Sequence, residues 1–162
     1  MAKMKTLADA FHDELQDVYS AEKQLTKAIP AMAKKAACEK LTKAFNDHLE
    51  QTKIHVQRVE KAFEDTGKPA KSKNCEAMAG LIAEAESMMA VAADPDVMDA
   101  VLIALAQKVE HYEIATYGTL CTWADKLGYK LAKQQLGENM DDEEKADKLL
   151  TKLSRVANTA AV

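Results

Sequence analysis

The sequence is poor in the residues that turns require. Only 5 of its 162 residues are glycine and 3 are proline, which argues against a turn-rich sandwich or barrel. It has no apolar run long enough to span a bilayer, so no membrane role is expected. The three cysteines, Cys38, Cys75 and Cys121, are odd in number, far apart and without a C-x-x-C pair. Reduced thiols in a cytoplasm are the expectation. The opening Met1-Ala-Lys-Met-Lys-Thr runs straight into an acidic amphipathic stretch and lacks the apolar core of an export signal. A basic excess is also missing. Lys and Arg total 22 against 26 Asp and Glu, and the net charge of -4 argues against a nucleic-acid partner. With 48% hydrophobic and 30% charged residues, intrinsic disorder is excluded. One domain over residues 1–162, with no low-complexity segment or linker, buries enough surface to fold without a disulfide or metal.

What is present is helical. Helix formers dominate and apolar residues recur at intervals of three and four. The spacing predicts helices over Thr6 to Lys35, Cys38 to Asp65, Asn74 to Ala92, Asp96 to Leu127, and from Tyr129 until the chain frays after Val156. Pro30 should kink or locally break the first. Gly67 and Gly128 read as stops, and Asp94-Pro95-Asp96 as a stop followed by an N-cap. Two long helical hairpins joined by a loop and a short helix give an all-α, antiparallel four-helix bundle with one long crossover, the ferritin-like arrangement.

Each long helix interrupts its apolar stripe. The first reads Val18, Glu22, Leu25; the second Phe45, His48, Thr52, His55, Val59; the third Val109, Glu113, Thr116; the last Met140, Glu143, Asp147, Leu150. Helices joined by a tight turn are mirror-related about it, so levels can be compared. Glu22 falls level with residue 52, and Glu113 with residue 144. The polar residues therefore form one layer within each hairpin, and a compact bundle would bring the two together. Four acids and two histidines cannot all stay charged in a core that has no Lys or Arg on the stripes. Two solutions exist. A pair of divalent cations can hold the layer, and carboxylate with imidazole suits iron, manganese or zinc. Alternatively, the groups can form a metal-free hydrogen-bonded network. Tyr19, Tyr112 and Tyr117, near the layer, read either as redox-active or as core residues with bonded hydroxyls. The Met78–Met89 face of the short helix reads as packing or as a dimer surface.

Tyr19-Ser-Ala-Glu22-Lys-Gln-Leu25, His48-Leu-Glu50, the run from Val109 to Leu120 and the acidic stretch ending at Asp147 resemble the YciF/YciE family of ferritin-like bacterial stress-response proteins. The likeness covers nearly the whole chain, and Glu110-His-Tyr-Glu113-Ile-Ala is its most specific part. The resemblance implies a ferritin-like bundle, a homodimer, a di-metal site between the four long helices and expression under stress. It names no reaction. The ligands it implies are Glu22, Glu110 and/or Glu113, and Glu143 with Asp147 one turn on. The chain departs from the pattern at Gln51, where relatives tend to carry glutamate; His48 or His55 could compensate, or the site could hold one ion or none. The expected function is a carboxylate protein holding two ions of iron or manganese and acting on dioxygen or peroxide. The alternatives are a non-catalytic metal-binding protein and a structural stress protein with a vestigial site.

Overall fold

A computed structural model describes residues 4–162; the reading of the first three residues as free of an export signal lies outside the described residues. The described chain is all-helical, with five helices and no strands. They are α1 (Leu7–Lys35), α2 (Glu39–Ala62), α3 (Glu76–Val91), α4 (Pro95–Leu127) and α5 (Lys130–Ala160).

The ends follow from local chemistry. Thr6 opens α1 with a capping box: its hydroxyl accepts from the Asp9 N–H at 3.1 Å, and the Asp9 carboxylate accepts from the Thr6 N–H at 3.0 Å. The Asp94 carboxylate caps α4 by accepting from the Asp96 and Val97 N–H groups, and Pro95 occupies the first turn, where its missing donor costs nothing. Gly128 ends α4 at φ +74°, a left-handed conformation that other residues adopt at a cost. The predicted second helix is shortened: α2 stops at Ala62, and Phe63–Thr66 form a turn of 3₁₀ helix before Gly67 at φ +64°. Pro30 does not break α1. Ile29, Met32 and Ala33 are buried around it, and that packing holds the turn from which proline withdraws a donor. Nor does the last helix fray at Val156; it continues to Ala160.

The four long helices close a ring in which α1 packs on α2 and α4, and α5 packs on α2 and α4. Pairings such as Tyr19 with Glu60, Tyr112 with Asp17, and Gln107 with Asp147 make each neighbour antiparallel. α3 lies against α1 and α4. Met78 and Met89 are buried against their own chain, while Leu81, Ile82 and Met88 are partly covered. Asp99 of α4 holds the α1–α2 turn: its carboxylate accepts from the Ala37 and Cys38 N–H groups, both at 2.8 Å.

There are two apolar cores. One gathers Leu25, Ile29, Leu41, Phe45, Leu102 and Leu150; the other gathers Phe11, Leu15, Val59, Phe63, Leu120 and Leu136. Each long helix contributes to both, so the residues between them on every stripe must meet at one height.

Candidate metal centre

The seam between the cores is polar. Glu22 from α1, His48, Thr52 and His55 from α2, Glu110, Glu113 and Thr116 from α4, and Asn139 and Glu143 from α5 are all buried there. The layers expected within the two hairpins coincide. His55 Nδ1 lies 2.8 Å from Glu143 Oε1 and 3.4 Å from Glu22 Oε1. His48 Nε2 lies 3.5 Å from Glu110 Oε1 and 3.7 Å from Glu143 Oε2.

Ligand-type atoms fall into two groups, each within 4.8 Å of one another: His48, Glu110, Glu113 and Glu143; and Glu22, His55 and Glu143. Glu143 belongs to both. Asp147 does not join them. Its carboxylate accepts from the Gln107 side-chain amide at 2.9 Å and lies 3.3 Å from the largely exposed His111. Gln51 lies beside His48 on the wall of a groove leading in from the surface. Glu50 is exposed.

Hydrogen bonding within the layer is incomplete. Both oxygens of Glu113 and of Glu143, and Oε2 of Glu22 and of Glu110, are buried without a hydrogen bond. Native interiors rarely leave such atoms unpartnered. Charge is equally unbalanced. Burial, with the nearby charges of Glu143 and Glu22, pushes Glu110 well above the usual carboxylate range; burial and the charges of Glu22, Glu143 and Glu110 do the same to Glu113. Burial alone would lower the His55 pKa, but the adjacent carboxylates of Glu143 and Glu22 push it up to about 10. Burial likewise raises Glu143, yet His55 outweighs it and leaves that carboxyl below its ordinary value. A His55 of raised pKa therefore faces Glu110 and Glu113, both held above the usual carboxylate range by burial and by the neighbouring carboxylates. Cations placed among these oxygens would relieve both deficits, and the donor set of carboxylates and imidazoles suits them.

A second tier surrounds the layer. Tyr117 donates its hydroxyl proton to Glu22 Oε1. Asn139 Nδ2 donates to the Tyr117 oxygen at 3.0 Å. Burial and the Glu22 charge hold the Tyr117 phenol well above its ordinary pKa, so it remains a donor. Tyr19 and Tyr112 bond instead to Glu60 and Asp17. His55 Nε2 lies 3.6 Å from Asp142, which is paired with Arg58 at 2.9 Å. Asn139 did not stand out in the sequence, although its place one turn before Glu143 was a signal. Arg58 and Asp142 lie off the stripes and gave none.

Fold and site together define an all-helical protein built around a buried layer of carboxylates and imidazoles. The chain belongs to the family described as a domain of unknown function, DUF892, which matches residues 6–161. It is similar to Protein YciF of Escherichia coli strain K12, at 46% identity over 152 residues, covering 93% of this chain and 92% of that one. The crystal structure of the E. coli stress protein YciF superposes with a TM-score of 0.92 at 44% identity, covering 96% of this chain and 99% of that one. The structure of YcfI from Rhodopseudomonas palustris, described as a candidate structural protein, gives a TM-score of 0.90 at 39% identity, covering 92% and 95%. A Xanthomonas campestris protein shares the fold alone, with a TM-score of 0.74 at 21% identity over 96% of this chain and 95% of that one.

Proposed function

We propose that the chain is a ferritin-like four-helix-bundle protein of the bacterial stress response that holds two divalent ions, iron or manganese, in the polar layer. The carrying observation is the set of buried carboxylate oxygens without a hydrogen bond, converging from three helices on two imidazoles of the fourth. Glu143 is read as the shared ligand. His48, Glu110 and Glu113 complete one half of the site, and Glu22 and His55 the other. Asp147 is read as an outer support through Gln107 and His111. Bound iron or manganese would supply one-electron redox chemistry toward dioxygen or peroxide. The protein's own groups hold the ligands still: Tyr117 and Asn139 orient Glu22, and Asp142 faces the far nitrogen of His55. The stress setting comes from the likeness to the E. coli stress protein YciF. A cytoplasmic location is supported by three unpaired cysteines and by the lack, among the described residues, of any helix long and apolar enough to cross a membrane. A homodimer would use the side of α3 left partly open by Leu81, Ile82 and Met88.

Metal analysis of the purified protein tests this reading. Two ions per chain are expected, falling to one in Glu22→Ala and to none in Glu143→Ala. Metal content unmoved by Glu143→Ala would overturn it. A second reading, a structural stress protein whose layer no longer binds metal, is favoured by the description given to the R. palustris relative and by neutral Gln51 beside His48. It expects chelators to leave the melting temperature unchanged.

A further inference from the structure

A ligand cluster this deeply buried needs a route in, and the helices leave one. A groove of about 170 Å³ runs between α2 and α5, lined by Phe45, His48, Gln51, Glu110, Ala146 and Leu150 among others. Its floor is His48 and Glu110. His48 is the most exposed of the six clustered residues, with 10% of its side chain accessible against 3% for Glu110 and 0% for Glu22, His55 and Glu143. Glu113 is also at 0%.

The flank beside His55 is shut. Asp142 closes over the ring, and Arg58 and Lys145 pin Asp142 at 2.9 and 3.0 Å, with Arg58 tied in turn to Glu138 at 3.1 Å. On the other side of His48 and Glu110, which line it too, a void of only about 20 Å³ lies among the apolar side chains of Leu25, Ile29, Met32 and Val109, which offer a hydrated ion nothing to replace its waters. At the mouth the facing helices present two alanines, Ala44 and Ala146, while Gln51 and Asp47 offer polar oxygens; Lys145 also lines it, its ammonium paired with Asp142 at 3.0 Å. Small side chains keep the passage open, and oxygens along it can replace waters of hydration one at a time.

We infer that the α2–α5 groove is the entry port of the layer, the path by which a hydrated divalent cation reaches it, with His48 the first ligand met. This rests on the metal reading above and adds a direction to it. It also gives Gln51 a role at the mouth, where a neutral amide passes an ion inward without trapping it.

The test is stopped-flow uptake of cobalt(II) by the metal-free protein, followed by its visible absorption. Ala146→Trp should slow uptake at least ten-fold while leaving the final stoichiometry unchanged. Ala44→Trp, from the facing helix, should do the same and carries the comparison should Ala146→Trp fail to fold. Ala28→Trp, in the separate apolar groove lined by Leu25, Leu81 and Met89, should leave the rate unchanged. Wild-type rates in both port variants, or slowing by Ala28→Trp instead, would overturn the port but not the metal site. No cobalt uptake by the unaltered protein would overturn the metal reading, and the port with it.

Discussion

Glu113→Met separates a site from a scaffold, because it should act with opposite sign in the absence and presence of metal. In the metal-free chain Glu113 is fully buried and neither oxygen has a hydrogen bond. An unpaired buried polar group costs about 1–3 kcal/mol by mutational measures. Methionine is similar in length, carries no such penalty and adds apolar contact with the flanking cores. Apolar replacement of buried charged groups stabilises by about 1–4 kcal/mol where it has been measured. A gain of about 2–3 kcal/mol is therefore expected in excess chelator, or roughly 4–12 °C in melting temperature for a chain of this size. With metal at roughly a thousand times its dissociation constant, the unaltered protein gains about 4.1 kcal/mol by linkage, and the variant, lacking a ligand, should gain almost none of it. Scanning calorimetry of both proteins with chelator and with manganese(II) gives the four melting temperatures. The order of the two proteins should reverse between conditions. A Glu113→Met variant that melts lower than the unaltered protein in chelator would refute the reasoning, since it would mean that the layer satisfies Glu113 without a cation.

The same layer sets a pH dependence for the metal-free chain. His55 keeps its proton to about pH 10 when folded but releases it near 6.5 when unfolded, so its contribution is present below 6.5 and is lost as pH rises to 10. The raised Glu110 and Glu113 act in the same direction, and the lowered Glu143 in the opposite one, its contribution being lost as pH falls through the acid range. Melting temperature in chelator should therefore fall between pH 7 and 10; a flat or rising profile would contradict the ion arrangement. Asp99→Ala should cost about 3 kcal/mol, read by urea denaturation, because it orphans the Ala37 and Cys38 N–H groups; a loss under 1 kcal/mol would show that water replaces the carboxylate. For the homodimer proposed through α3, Ile82→Asp should shift a sedimenting dimer to monomer with unchanged helical content; a monomeric unaltered protein, or an unchanged sedimentation coefficient, would overturn that interface.

The stripes made the layer legible because burial and helix period are both written in the sequence. A charged residue at a core position is conspicuous when the turns on either side are apolar, and mirror symmetry about Gly128 and about the 36–38 turn gave the levels. Glu22, His48, His55, Glu113 and Glu143 all needed only that. Glu110 did not follow from the stripe; it came from the likeness of the Glu110–Glu113 segment to relatives, and lies one turn from Glu113 toward the groove. Asp147 occupied a stripe position but lies half-buried, facing Gln107 and His111 rather than the cluster. The stripe gives a helix face to within a residue or so, and a short Asp side chain at its edge can satisfy itself on a neighbour before reaching the centre.

What stayed illegible was everything that depends on which helices touch. Asp99 caps a turn more than sixty residues away in sequence, and Asp142 and Arg58 meet across α2 and α5; neither leaves a local pattern. Tertiary packing also decided Pro30, whose local preference for a break lost to the apolar contacts of Ile29, Met32 and Ala33. The division is physical. Periodic burial is a property of one helix and can be read from it, whereas a cap, a closed flank or an open groove belongs to a pair of helices. Access to the layer is therefore the part of its chemistry that a sequence of this kind conceals, even when it displays the ligands.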